Sequence, residues 1–146
     1  MKSRQKITRI QLDTETGKDF SLFGIVSAEP DYRLSLLINK ALKISLKNEK
    51  PVSVVVDGGD ELTFSRFSFH SGKNDIVWNL ISNKSGKSFL ISKLKKIDYL
   101  FQVYLNECKF DISGISMTLR TIEAVTAVFV LDPDELKDKN LHYLIP

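Results

Sequence analysis

The chain has one cysteine, two histidines and one tryptophan in 146 residues. Cys108 alone closes no internal disulfide and fits a reducing compartment. His70, His142 and Cys108 are the only good soft or borderline metal ligands. None stands at ligand spacing from another, whereas a zinc site asks for about three or four. With so few bases and no local nucleophile–base pattern, hydrolase triads find no support. No apolar run approaches the roughly 20 residues that span a bilayer. The segment Met1-Lys2-Ser3-Arg4-Gln5-Lys6 is basic but lacks the apolar stretch of a signal peptide. A cytoplasmic protein is expected. There is no Pro/Gly-rich linker, repeat or low-complexity stretch, so residues 1–146 read as a single α+β domain. Lys and Arg exceed Asp and Glu by 21 to 18, a net charge of +3. That falls well short of the concentrated basic face of a nucleic-acid module.

What is present is organised around Ile97 to Asp132. The run Ile97 to Leu105 is dense in β-branched and aromatic residues, as is Val125 to Leu131. Between them Ile112, Ile115, Leu119 and Ile122 stack along one helical face, which makes a β-α-β unit. Ser113, Gly114, Ser116, Thr118 and Thr121 make that helix poor by propensity, so packing on a sheet must hold it.

Upstream, residues 6–13 read as a strand with Thr8, Ile10 and Leu12 on one side. Phe20 to Ser27 is apolar on both faces and therefore internal, and Gly24 within it signals a bulge or a close neighbour. Pro30 and Asp31 open a helix with Leu34, Leu37, Ile38 and Ala41 as its buried stripe. Residues 44–51 read as a polar connection. Val52 to Val56 is a short strand closed by Asp57-Gly58-Gly59-Asp60. Leu62 to His70 carries Phe64 out of parity with Phe67 and Phe69, which requires a bulge or burial on both faces. In Asp75 to Asn83, Ile76, Trp78 and Leu80 alternate. Ser88 to Ile91 is a short apolar piece, Asp132-Pro133 starts at most a helical turn, and Leu141, Tyr143 and Leu144 pin the tail. The simplest architecture is a mostly antiparallel sheet with two helices packed on one face. It is like a ferredoxin-like fold extended by extra central strands.

The segment Ile91-Ser92-Lys93-Leu94-Lys95-Lys96-Ile97-Asp98-Tyr99 resembles the signature of the IPExxxVDY family, small proteins of the Bacteroidetes. Asp31-Tyr32-Arg33-Leu34 with Ile38-Asn39-Lys40 is similar to the family's first helix. Asn74-Asp75-Ile76 to Ile81-Ser82-Asn83-Lys84 is similar to its central strand, and Val130 with Asp132-Pro133 and Leu136-Lys137 to the end of its last. Ser92 stands where the family name has proline, Lys93 where it has glutamate and Ile97 where it has valine. The charge inversion at Lys93 means that no role of that acid carries over. The resemblance implies a cytoplasmic α+β protein and no catalytic residues.

Gly86-Lys87-Ser88 invites a phosphate-loop reading, but Ile81 stands where that loop needs its first glycine, so a hairpin turn is expected. Asp57, Asp60 and Glu61 lack the alternation of a calcium loop and read as a solvated turn. Lys84, Lys87, Lys93, Lys95 and Lys96 form the one charge concentration and the candidate contact surface. Arg33 and Asp98 are a candidate structural pair at the helix–sheet junction. We therefore expect a non-enzymatic interaction or regulatory module without catalytic residues or cofactor. It would act on a protein partner or self-associate through a sheet edge, with no membrane contact. The alternative is a small-ligand-binding domain resembling regulatory ACT modules, with an RNA-binding accessory behind it. Elemental analysis after chelator-free purification should find well under one zinc or iron per chain; about one equivalent would overturn the ligand argument.

Overall fold

The computed structural model describes residues 20–56, 58–72, 76–105, 112–136 and 140. The elements run β1 (Phe20–Ser27), α1 (Asp31–Leu42), β2 (Lys47–Val55), β3 (Glu61–Ser71), β4 (Ile76–Ser82), β5 (Lys84–Ser85), β6 (Ser88–Phe89), β7 (Tyr99–Leu105), α2 (Ile112–Arg120), β8 (Val125–Leu131) and a single turn α3 (Pro133–Leu136). Six strands form one sheet in the order β2-β3-β4-β7-β1-β8. Every neighbouring pair is antiparallel. The expected β-α-β unit is present in split form, because β7 and β8 lie on either side of β1 and run parallel without touching. Without β2 and β3, the remaining order β4-β7-β1-β8 is the ferredoxin-like arrangement. The extra strands are central in the chain but stand at the sheet's edge. The expected strand over residues 6–13 and the tail residues Leu141, Tyr143 and Leu144 lie outside the described residues.

Both helices pack on one face. Leu34 and Ile38 of α1 and Ile115 and Leu119 of α2 join Phe23, Ile25, Phe67, Trp78, Leu80, Phe101 and Val103 in one core. On the opposite face Leu22, Val52, Val54, Phe64 and Ile81 meet Leu90, Ile91 and Ile97 from the segment after β4. The sheet is thus buried on both sides, which resolves the parity conflict in β3. Phe67 opposes Leu80 and Phe69 opposes Trp78 on the helix side, while Phe64 faces the other core. Across that second face runs a buried polar ladder. The Ser68 hydroxyl donates to Asn79 Oδ1, and Asn79 Nδ2 donates to Gln102 Oε1 at 3.0 Å.

One boundary differs from expectation. Residues 47–51 are strand, not connection. Lys47, Asn48, Glu49, Lys50 and Pro51 are all exposed, so the pairing of Lys47, Asn48 and Glu49 with β3 rests on the backbone and leaves no apolar periodicity to read. Pro51 is tolerated because β2 is an outer strand and its register shifts between Glu49 and Val52. At Gly24, a Cβ would stand 2.9 Å from Ile97 Cδ1, so the glycine marks a close neighbour.

Leu119 is fully buried in the helix-side core. Leu119→Asp should therefore unfold the protein, since an unpaired buried carboxylate costs several kcal/mol against a total stability of about 5–15 kcal/mol. Circular dichroism of the variant unchanged from the parent would refute the packing assigned to α2.

Candidate functional site

The lysine-rich segment between β4 and β7 is folded by a single buried amide. Asn83 has no exposed surface. Its Nδ2 donates to the carbonyls of Leu94 at 2.9 Å and Ile97 at 3.0 Å, and its Oδ1 accepts the Ile91 N–H at 2.8 Å. Its main-chain carbonyl accepts the Leu90 N–H and its own N–H donates to the Asp98 carbonyl, both at 2.9 Å. Within this frame Lys84 pairs with Phe89 and Ser85 with Ser88 across a two-residue hairpin turn. Gly86 occupies the first turn position at φ 61°, a conformation that glycine adopts without a Cβ penalty. The phosphate-loop pattern is thus a hairpin turn.

Asp98 ties the segment to the sheet. Its N–H donates to the Ile25 carbonyl at 2.9 Å, and its Oδ2 accepts the Ser27 N–H at 2.9 Å. Its Oδ1 pairs with Lys84. The pair expected between Arg33 and Asp98 is replaced by two others, because Arg33 meets Glu29 at 3.0 Å one turn back along its own helix entrance. Both carboxylate oxygens of Asp98 are already engaged, by Lys84 and by the Ser27 N–H. Next to Asp98, the Tyr99 hydroxyl donates to the Glu29 carbonyl. Burial, then the charges of Asp31, Asp98 and Glu29, pushes the Tyr99 phenol up from 10.0 to about 12.

The structure divides the candidate lysines. Lys84 is engaged by Asp98 and lies 5.9 Å from the Phe89 ring centroid. Lys93 donates to the Leu136 carbonyl at the end of α3. Lys87, Lys95 and Lys96 are exposed, and none makes a hydrogen bond or ion pair to another described residue. Lys95 and Lys96, with Lys93, rim an open cleft of about 660 Å³ against β8. Leu94, Ile97, Phe129 and Leu131 supply its apolar lining. Phe129 is 50% exposed and Val130 56%. These two β8 residues escaped the sequence reading, which placed them in a strand but had no means of knowing that the strand is outermost.

A second open cleft, about 600 Å³, lies between the helices and the sheet, lined by Ile44, Phe69, Trp78, Ile115 and Thr118 among others. His70 is exposed on β3, while Cys108, His142 and Asp57 lie outside the described residues. Among the described residues no group of three His, Cys, Asp or Glu could hold a metal. No described helix is long and apolar enough to cross a membrane. Among known proteins, no family model matches this chain and no curated relative matches it. The segment from Ile91 to Tyr99 that resembles the IPExxxVDY signature is the one that Asn83 folds and Asp98 anchors.

The raised Tyr99 pKa has a definite sign. The folded state favours the neutral phenol, so its contribution is complete below pH 10 and is lost as the pH climbs toward 12. Denaturant titrations should show the parent losing stability over that interval more steeply than Tyr99→Phe; parallel curves would refute the buried environment assigned to the phenol.

Proposed function

We propose that the protein is a non-enzymatic interaction module, and that its working surface is the cleft between the Lys93–Ile97 turn and β8. The observation that carries this reading is the apolar lining of Ile97, Phe129 and Leu131 beside Lys95 and Lys96, two exposed cations without a carboxylate partner among the described residues. Such a site gains from apolar burial and orients its partner through charge. The partner is a protein. RNA recognition would call for aromatics stacked on a continuous cationic face, whereas Tyr99 and Phe101 are buried in the sheet. We place the protein in the cytoplasm, and we propose kinship with the IPExxxVDY family through the same turn. A small-ligand reading is favoured by one feature, the helix-side cleft under Trp78, where Thr118, Ser71 and Lys43 supply polar groups to an apolar chamber.

Charge reversal tests the leading reading. Lys93 is bound to α3, so the informative variant is Lys95→Glu with Lys96→Glu. It should fold as the parent does and lose partner recovery about tenfold or more at low salt, nuclease treatment making no difference. Equal recovery by the parent and the double variant would overturn it. Release of the partner by nuclease would move the assignment to nucleic acid.

A further inference from the structure

The two outer strands of the sheet are built differently. The β2 edge carries Lys47, Glu49, Lys50 and Pro51 and a register shift, which are devices that prevent further strands from pairing. The β8 edge has none of these beyond a shift at its start, where Val26 and Ser27 pair with Ala127 and Val125. Its sequence Val125-Thr126-Ala127-Val128-Phe129-Val130-Leu131 holds no charge, glycine or proline. Among the described residues, no strand pairs with its outer side.

The direction of its backbone groups follows from the hydrogen bonds of β1. The Ile25 carbonyl accepts the Asp98 N–H and so faces β7. In an antiparallel ladder a residue's N–H and C=O point to the same side, so Val128, which opposes Ile25, turns both of its groups outward. Val130, two residues on, does the same. Of the outward groups of Val128 and Val130, the Val128 carbonyl accepts Arg120 Nη2 at 2.8 Å. Arg120 also reaches Ser116 Oγ at 3.4 Å and has no carboxylate partner among the described residues. Cations therefore flank the edge on both faces, Arg120 on the helix side and Lys95 and Lys96 on the other.

We propose that β8 receives an extended, acid-rich segment of a partner protein as a seventh strand. This deepens the interaction-module reading and rests on it. The added backbone bonds Val128 and Val130, one apolar side chain enters the cleft over Phe129 and Ile97, and carboxylates on alternate faces meet Arg120 and the Lys95–Lys96 pair. A second copy of the chain fits less well. Antiparallel pairing about Val128 would bring two Arg120 guanidiniums to the same side of the joined sheet.

The probe is a fluorescein-labelled synthetic nonapeptide with glutamates at both odd and even positions around a central phenylalanine, so that carboxylates project from both faces of the strand. It should bind the full chain, slow hydrogen exchange at the Val128 and Val130 amides about tenfold or more, and weaken about tenfold on Arg120→Gln or on Lys95→Glu with Lys96→Glu. Methylating its alternate backbone nitrogens in one register should abolish binding and in the other should not. Equal binding of both methylated peptides would overturn strand addition while leaving the cleft as a contact surface. Equal binding of a lysine-for-glutamate peptide would overturn the charge assignment. A concentration-dependent dimer in sedimentation that protects the same amides would make a second copy the occupant and overturn the proposal. Absence of binding below about 1 mM would also overturn it, and the lysine-reversal recovery experiment then decides separately whether the cleft binds anything.

Discussion

The second face of the sheet depends on one satisfied amide. Leu90, Ile91 and Ile97 come from a segment with almost no regular structure, yet they form one side of a core. A segment of that kind leaves its main-chain groups without a ladder, and burying them unpaired costs about 1–3 kcal/mol each. Asn83 removes that cost at three points by bonding Ile91, Leu94 and Ile97 from a single side chain. Few other residues could replace it, since the task needs two donors and an acceptor on one short planar group. The cleft beside β8 inherits its shape from this bonding, because Leu94 and Ile97, whose carbonyls Asn83 holds, also line the cleft.

Legibility in the sequence followed the type of force involved. Elements buried on one or two apolar faces were readable from periodicity: Leu34 and Ile38, Ile115 and Leu119, and the alternation of Ile76, Trp78 and Leu80 all reach the core as expected. The misfit of Phe64 with Phe67 and Phe69 was itself informative, because it announced the second core. The outer end of β2 was unreadable because main-chain pairing in water leaves no trace in side-chain pattern. Charge was legible as composition but not as availability. Lys84 and Lys93 are engaged by partners 14 and 43 residues away, and only the strand order brings those partners near. Asn83 sat in what reads as turn chemistry, where asparagine is ordinary, so its role became visible only with its three carbonyl and amide contacts in place.

The polar ladder Ser68–Asn79–Gln102 complements the two cores. Apolar alternation fixes which face a residue takes but tolerates slippage by two positions, since that preserves parity. The ladder does not. Shifting β7 by two residues against β4 would set Leu100 or Tyr104 opposite Asn79 in place of Gln102 and break their hydrogen bond. Hydrophobic pattern and buried hydrogen bonds thus divide the specification between them, one setting the face and the other the register.

The position of β1 bears on how the chain is made. This strand emerges from the ribosome ahead of every other described element, yet its neighbours in the sheet are β7 and β8, the last two of the described strands to be synthesised. Until residue 131 has been translated, Leu22, Phe23 and Ile25 have no complete pair of flanking strands. The meander β2-β3-β4-β7 pairs only consecutive strands of the sheet and closes without them. The first of the described strands is therefore completed last, and the nascent chain carries an apolar segment that nascent-chain chaperones are suited to shield.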